Sequence, residues 1–276
     1  MSLSMNILVT NDDGINAPGL WILAEVLRNV GDVTIVAPDR EQSGVGPSLS
    51  LAKAIRVHKL PYTMEGIQTY TVEGTPGDAV IVGLGHVLKD SEVDLVVSGV
   101  NQGHNTGEEV LLSGTVGAAW HARQRGIPAI AVSVLQLDST QHAIGARMAA
   151  VLGLMIHRKE IPSNILYNVN VPHCDLPDVK GVFVTRPSHR GFADEVKEED
   201  DGRNKHHYFL VRKRNKVRMG PGTDLWALRK KYISVTLLNT RLGPLRRDAV
   251  PDGFAEKTFS ELVDREWPPL ATAAAE

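Results

Sequence analysis

Two adjacent carboxylates, Asp12 and Asp13, follow the first apolar run of the sequence, Met5–Thr10, after the single residue Asn11. A continuous apolar run of this kind is typical of a buried parallel strand, so both acids are expected at its carboxyl end. Like charges this close repel each other, and a bound cation usually offsets that cost. The alternative is a polar turn that caps a helix, because Asn and Asp favour caps and Gly favours turns.

Oxygen-rich loops also follow two later predicted strands. Asp39–Gly46 comes after Asp32–Pro38, and Asn101–Gly107 comes after Asp94–Val100. Each loop alone is compatible with an ordinary flexible connection. Because ligands of parallel sheets bind outside the carboxyl ends of the strands, the loops and the carboxylate pair together indicate a site. Its oxygen donors, without cysteines or paired histidines, suit Mg²⁺, Mn²⁺ or Ca²⁺ better than Zn²⁺.

A third feature is Ser113–Ala119 (SGTVGAA), which opens a predicted helix with small residues. Backbone N–H groups at such a terminus can approach an anion, and the helix dipole favours phosphate. An N-cap followed by close helix–sheet packing explains the same residues. The sequence contains no P-loop, no dinucleotide-binding fingerprint and no Ser-centred GxSxG elbow. His104 lies in a candidate site loop, although one residue is weak support for a role.

Alternating strand and helix patterns would position these loops. Helical spacing predicts a helix that begins at Pro18 and ends at Gly31, and further helices over about Ser113–Arg125 and Thr140–His157. Ile127–Val134 is another predicted strand. Such alternation predicts βαβ units and a parallel sheet covered by helices on both faces.

The second half of the chain has a different pattern. Its predicted elements are three strands and a short helix: Ile165–Val171, Gly181–Arg186, Tyr232–Leu238 and Thr223–Lys230. The charge-dense segment Gly191–Asn215 is predicted to form a ribbon of two strands, with Asp201 and Gly202 in the turn. Since an exposed ribbon cannot bury a core of its own, we expect it to pack on a partner subunit.

Composition excludes several classes of protein. The chain has 276 residues, of which 42% are hydrophobic and 22% are charged, as in folded globular proteins. A net charge of −2 gives no indication of a nucleic acid duplex or an anionic membrane as a partner. The longest apolar runs fall short of the ~20 residues that span a bilayer, and the start lacks the pattern of a secretory signal. The single cysteine, Cys174, excludes an intramolecular disulfide, and we expect a cytoplasmic protein.

Several segments together resemble the SurE (survival protein E) family of 5′-nucleotidases. The longer ones are Asn6–Leu20, Ala37–Leu51, Gly74–Asp78, Ser98–Gly107 and Leu112–Ala119. Shorter ones are Asn168–Pro172, Val184–Arg186, Pro221–Asp224 and Tyr232–Thr236. They occur in order and at the usual intervals, so the resemblance covers about residues 5–240.

The resemblance implies an α/β fold with a doubly wound, three-layer, Rossmann-like parallel sheet and a C-terminal extended β-ribbon used in oligomerisation. It divides the chain into a catalytic core (1–190), a β-hairpin exchanged between subunits (191–218), and a C-terminal strand, short helix and tail packed on the core (219–276). A homodimer or homotetramer is expected.

The resemblance further implies a divalent-metal-dependent phosphomonoesterase that hydrolyses nucleoside 5′-monophosphates. Nucleoside 3′-monophosphates and short polyphosphate are further candidate substrates. One cation per subunit, Mg²⁺ or Mn²⁺, would be held by Asp12, Asp13, Ser43 and Asn101. The phosphate would be bound by Asn105, Ser113, Gly114 and Thr115. Asp12 and Asp13 are the expected catalytic residues. The nucleophile is either a water activated by the cation or Asp12 itself, and Asp12 is also a candidate general base.

Some positions depart from the family pattern. The family often has alanine and cysteine where this chain has Gly77 and Ala79, and a Glu-Gly pair where it has His121-Ala122. An aromatic residue is common in the family at the position of Leu112. None is an expected metal ligand, so the departures concern base preference. Two alternatives stay open: a catalytically weak nucleotide-binding or assembly module, and a metal-dependent hydrolase of another small substrate. The complete ligand set disfavours the first, and the phosphate-suited helix start disfavours the second.

Overall fold

A computed structural model describes residues 5–240, except for residues 62, 63, 65, 136–138, 190–192, 201–205 and 214–218. The strands are β1 Met5–Thr10, β2 Gly31–Pro38, β3 Val57–Lys59, β4 Gln68–Val72, β5 Leu95–Gln102, β6 Ala129–Val134, β7 Leu166–Asn170, β8 Val182–Thr185, β9 Ala193–Asp200, β10 His206–Lys213 and β11 Ile233–Leu238. The α-helices are α1 Pro18–Leu27, α2 Pro76–Val82, α3 Gly114–Gln124, α4 Ser139–His157 and α5 Asp224–Arg229.

Nine of these strands form one sheet in the order β3-β4-β2-β1-β5-β6-β7-β11-β8. Neighbouring strands are parallel except for two antiparallel pairs, β3 with β4 and β11 with β7. The central strands are buried along nearly their whole length, as parallel strands covered on both faces must be. The predicted α/β class is therefore confirmed, with a mostly parallel, mixed sheet.

Helices cover both faces of this sheet and so give it three layers. Side chains alternate along β1: Ile7 and Val9 pack into a core with α1 and α4, whereas Leu8 packs into a second core with α2 and α3. The first core contains Leu20 and Ile144, and the second core includes small residues of α3 such as Ala118, Ala119 and Ala122. Small residues there let the helix lie close to the sheet.

The sequence prediction was wrong in some details. Helix α1 ends at Leu27, and Gly31 opens β2 instead of ending the helix. A Cβ at Gly31 would lie 2.3 Å from the carbonyl oxygen of Met5, so glycine is needed for close strand pairing. In α4, the helical spacing of Ile144, Met148, Val151, Leu152 and Met155 predicts one buried stripe, but Val151 is half exposed. Strands β3 and β4 and helix α2 were not predicted.

The predicted ribbon forms from β9 and β10, which pair antiparallel from Asp200 opposite His206 to Ala193 opposite Lys213. The turn predicted at Asp201 and Gly202, and the C-terminal segment 241–276, lie outside the described residues. Within the described ranges, no helix combines the length and the apolar character that crossing a bilayer requires.

Candidate functional site

The carboxyl ends of neighbouring strands form a cleft of about 300 Å³. The sheet order places β1 between β2 and β5, and the chain changes its direction across the sheet at β1, which is where α/β sheets bind ligands. Five predicted site residues line the cleft: Asp12, Ser43, Asn101, Asn105 and Ser113. These residues are up to 101 positions apart in sequence, and the parallel topology brings them together.

Asp12 lies at the bottom of this cleft and is only 3% exposed. The hydroxyl of Thr115 donates a hydrogen bond of 2.5 Å to its Oδ1 atom, and the Gln42 N–H donates to its backbone carbonyl at 2.7 Å. Burial raises the pKa of the Asp12 carboxyl, and the Thr115 hydroxyl partly opposes that rise. Among the described residues, no basic side chain forms an ion pair with it. The buried carboxylate therefore lacks a positive partner from this part of the chain.

Asp13 is partly buried beside Asp12. The Gln102 N–H at the end of β5 donates to its Oδ2 atom at 3.3 Å. Burial, and next the negative charge of Asp12, raise the pKa of Asp13 to about 7. A cation between the two carboxylates would favour their charged forms and reverse both effects.

Two neutral oxygen donors complete the predicted ligand set. The amide nitrogen of Asn101 donates to the Gly103 carbonyl at 2.7 Å, so its amide oxygen is the atom free to accept or to bind a cation. The exposed Ser43 hydroxyl donates to Glu41 Oε1 at 2.9 Å and keeps lone pairs of its own. Both residues line the cleft with Asp12.

The donors present fit a hard divalent cation. Across the part of the chain that the structure describes, no cluster of three or more His, Cys, Asp or Glu side chains is arranged to bind a metal. The cleft offers instead the Asp12 carboxylate, the Asn101 amide oxygen and the Ser43 hydroxyl. The Asp13 carboxylate does not line the cleft but lies beside Asp12. Such mixed oxygen donors, completed by water or substrate phosphate, are what Mg²⁺ and Mn²⁺ prefer.

The backbone of Asn105 is held from two sides by neighbouring asparagines. Its N–H donates to Asn170 Oδ1 at 2.9 Å, and its carbonyl accepts from the side chains of Asn168 at 2.8 Å and Asn170 at 3.0 Å. Its own amide nitrogen donates to Ser133 Oγ at 2.9 Å. These bonds fix the Asn105 side chain in the wall of the cleft.

The start of α3 lies against the carboxylate. Ser113 is the N-cap of the helix, and its hydroxyl accepts from the Val116 N–H at 3.1 Å. A Cβ at Gly114 would lie 2.8 Å from the Cβ of Asp12, so only glycine permits this approach. Ser113 thus lines the cleft, whereas Gly114 and Thr115 contact Asp12. Phosphate binding by these residues stays a prediction.

A glycine also joins the first two loops. Gly14 follows the carboxylate pair with a φ of +91°, and a Cβ there would lie 2.8 Å from the carbonyl carbon of Arg40. Side chains other than hydrogen are strained in this conformation and would push the two loops apart. Gly14 therefore keeps the loop after β2 close to the end of β1.

Sequence reasoning missed Asp224, which is fully buried at the start of α5. Its Oδ2 atom accepts from the Gly107 N–H at 2.7 Å, and its Oδ1 atom accepts from the Ser188 N–H at 3.0 Å. Asp224 thereby ties the C-terminal part of the chain to the loop that carries Asn105. Its motif, Pro221–Asp224, was noted only as part of the resemblance, because the partners are 36 and 117 positions away in sequence.

His104 is held in the cleft wall. Its Nε2 atom lies 2.7 Å from the Val171 carbonyl oxygen. Because a carbonyl only accepts, Nε2 carries the hydrogen. Burial lowers the pKa of His104, so the ring is neutral near pH 7. The contact fastens the loop after β5 to the end of β7.

Comparisons with known proteins agree with this architecture. The family model described as "Survival protein SurE" matches residues 7–194. A 5′-nucleotidase SurE of Dehalococcoides mccartyi is 41% identical over 240 residues, which cover 86% of this chain and 90% of that protein. A 5′-nucleotidase SurE of Rhodopseudomonas palustris is 41% identical over 268 residues, which cover 94% of this chain and 100% of that protein. The crystal structure of the SurE protein of Aquifex aeolicus superposes with a TM-score of 0.73 at 33% identity, covering 93% of this chain and 99% of that one.

Proposed function

The chain belongs to the SurE family of 5′-nucleotidases, and from that premise we propose that it hydrolyses nucleoside 5′-monophosphates with one divalent cation bound at the strand-end cleft. The proposed ligands are Asp12, Asp13, Ser43 and Asn101. The main support for the proposal is the environment of Asp12. Its carboxylate is buried, has no basic partner among the described residues, and lies in a cleft lined by further oxygen donors.

The two carboxylates give the site its charge. When bound, a divalent cation polarises a phosphoryl oxygen and activates a water molecule. Asp12 and Asp13 supply the negative charge that holds it, and the Thr115 hydroxyl fixes the orientation of the Asp12 side chain. Because burial disfavours two charged carboxylates without a cation, the pair is suited to bind Mg²⁺ or Mn²⁺.

In this proposal the phosphate is bound by Asn105 and by the start of α3, which lies against Asp12. Asn105 and Ser113 both line the cleft, and the N-terminus of α3 directs backbone N–H groups and a positive dipole toward it. As water attacks phosphorus, the bond from phosphorus to the ester oxygen breaks, and the nucleoside leaves with a proton. Gly114 and Thr115 support this part of the cleft through their contacts with Asp12.

The proposal extends to two further kinds of substrate. In it, the donors all bind the phosphoryl group and none binds the alcohol part of the ester. We therefore extend the proposal to nucleoside 3′-monophosphates and short polyphosphate, as weaker substrates of the same site.

The subunits are proposed to form a homodimer or homotetramer through the ribbon of β9 and β10. Four large apolar side chains of the ribbon are half exposed or more: Val196, Tyr208, Phe209 and Leu210. Exposed apolar surface of this kind usually marks a protein interface. We also propose a cytoplasmic location, where nucleoside monophosphates are present.

The experiment that tests the proposal is a measurement of phosphate release from a panel of nucleoside 5′- and 3′-monophosphates. Each substrate is offered with Mg²⁺, with Mn²⁺ and with EDTA. We expect release that depends on the cation and is greatest for 5′-monophosphates. Undiminished release in EDTA, after the protein has been dialysed against the chelator, would contradict the metal site. No release with any cation would favour a nucleotide-binding module.

A further inference from the structure

One apolar side chain lies in an otherwise polar cleft. Apart from glycines, the described residues that line it carry polar or charged side chains, and Leu112 is the exception. Leu112 is 38% exposed, so its side chain is available to a ligand. Polar donors explain how the cleft would bind a phosphate, but they do not explain an exposed leucine beside them.

The backbone of Leu112 is held on both sides. Its N–H donates to the Glu109 carbonyl at 3.0 Å, which closes the 3₁₀ turn Gly107–Leu111, and its own carbonyl accepts from the Gly46 N–H at 3.0 Å. The next residue, Ser113, is the N-cap of α3. The backbone of Leu112 is therefore fixed next to the N-cap of α3, and its side chain lines the cleft.

The two parts of a nucleotide are bound by different kinds of interaction. Its phosphate requires a cation and hydrogen-bond donors, whereas the faces of its base are apolar and favour contact with apolar side chains. Because Leu112 directly precedes Ser113 and lines the same cleft, its side chain is within reach of a nucleoside whose phosphate is bound there.

We propose that Leu112 is a specificity-determining residue on which the base of the substrate packs, and that it makes the enzyme prefer nucleotides to base-free sugar phosphates. The proposal rests on the function proposed above and adds the part of the site that recognises the nucleoside. A leucine side chain provides apolar contact surface for the base but cannot stack on it as an aromatic ring does. The contact therefore tolerates different bases and is weaker than an aromatic one.

The test compares kcat/KM for a nucleoside 5′-monophosphate with kcat/KM for ribose 5-phosphate, which has the same phosphate ester and no base. Leu112→Ala should lower kcat/KM for the nucleotide about fivefold, because less apolar area is covered, and should leave ribose 5-phosphate unchanged. Leu112→Phe should raise the nucleotide preference about fivefold through stacking.

Leu111→Ala is the matched control. Leu111 is 74% exposed and adjacent in sequence, but it does not line the cleft, so neither substrate should be affected. If the ratio of the two kcat/KM values is unchanged in Leu112→Ala and Leu112→Phe, and both variants are active, the proposed base contact is overturned but the proposed function is not. Wild-type protein that releases phosphate from neither substrate with Mg²⁺ or Mn²⁺ would overturn the proposed function and this inference with it.

Discussion

The strand-end cleft and the β9–β10 ribbon place opposite kinds of side chain in unusual surroundings. In the cleft, a carboxylate that is 3% exposed lies among backbone and side-chain donors. In the ribbon, Leu210 is 80% exposed on a strand that is paired only with another exposed strand, among the described residues. One region buries charge, and the other exposes apolar surface.

The difference shows two ways in which a folded chain can be left incomplete. A buried charge without a basic partner costs free energy until a cation joins it. Exposed apolar side chains cost free energy until another surface covers them. The cleft is therefore suited to a small ion and a phosphate, and the ribbon is suited to another protein surface.

The largest expected effect is in the cleft. Asp12→Asn removes the buried charge but keeps the size of the side chain, and its amide oxygen can still accept from Thr115. We expect kcat/KM for nucleoside 5′-monophosphates to fall about 1000-fold or more, with the fold retained. Phosphate release and thermal melting would be measured on the same preparation.

Asp178→Asn is the matched control for that change. Asp178 is an exposed acid that is bonded to Lys231, outside the cleft. It should leave kcat/KM unchanged. A folded Asp12→Asn protein with near wild-type activity would show that the buried carboxylate has no part in the reaction.

The ribbon is expected to respond in its oligomeric state. Leu210→Asp places a charge on the most exposed apolar side chain of the ribbon and should weaken subunit association about 100-fold. Light scattering coupled to gel filtration at several protein concentrations measures the shift to monomer. Leu176→Asp, which alters a half-exposed leucine outside the ribbon, is the control. Equal assembly of wild type and Leu210→Asp would exclude the ribbon as the interface.

Asp224 offers a smaller effect that links the C-terminal part to the cleft. Asp224→Asn replaces one accepting oxygen by a donor, which would face either the Gly107 or the Ser188 N–H. We expect kcat/KM to fall about tenfold, mainly through KM, because the loop that carries Asn105 loses its support. A melting temperature that falls without any change in KM would indicate a role in stability only.

The smallest effect concerns pH. The folded protein holds the Asp13 proton more tightly than the unfolded chain does, since its pKa is raised from 3.8 to about 7. The metal-free protein should therefore lose stability as pH rises from 3.8 to about 7, by a few degrees of melting temperature. Added Mn²⁺ should restore the loss, so its stabilising effect should grow over the same range. If the melting temperature of the metal-free protein rises over that pH interval, the predicted direction of the pH dependence is wrong.

Much of the cleft could be predicted from local patterns. Asp12, Ser43 and Asn101 each follow an apolar run, and the rule that parallel strands present their carboxyl ends at one edge was enough to group them. The strand β1 was predicted with its observed bounds because its apolar run is continuous and ends in polar residues. Roles of the grouped residues in binding and catalysis stay predictions.

Other features depend on contacts that no local pattern records. Asp224 looks like a helix-start residue in sequence, and its role depends on the approach of two distant loops. Strand β3 has three residues, too few for a periodic signal, and Gly31 opens a strand because it packs against Met5 of the neighbouring strand. Long-range packing decides such positions.

A Mn²⁺ titration of the metal-free protein, followed by electron paramagnetic resonance, tests directly whether a cation binds at the carboxyl end of β1. We expect one ion per subunit for wild type and for Asp178→Asn, and loss of that binding in Asp12→Asn, with all three proteins folded. Binding of equal strength and stoichiometry in Asp12→Asn, or no binding in wild type, would contradict a cation site at the carboxyl end of β1.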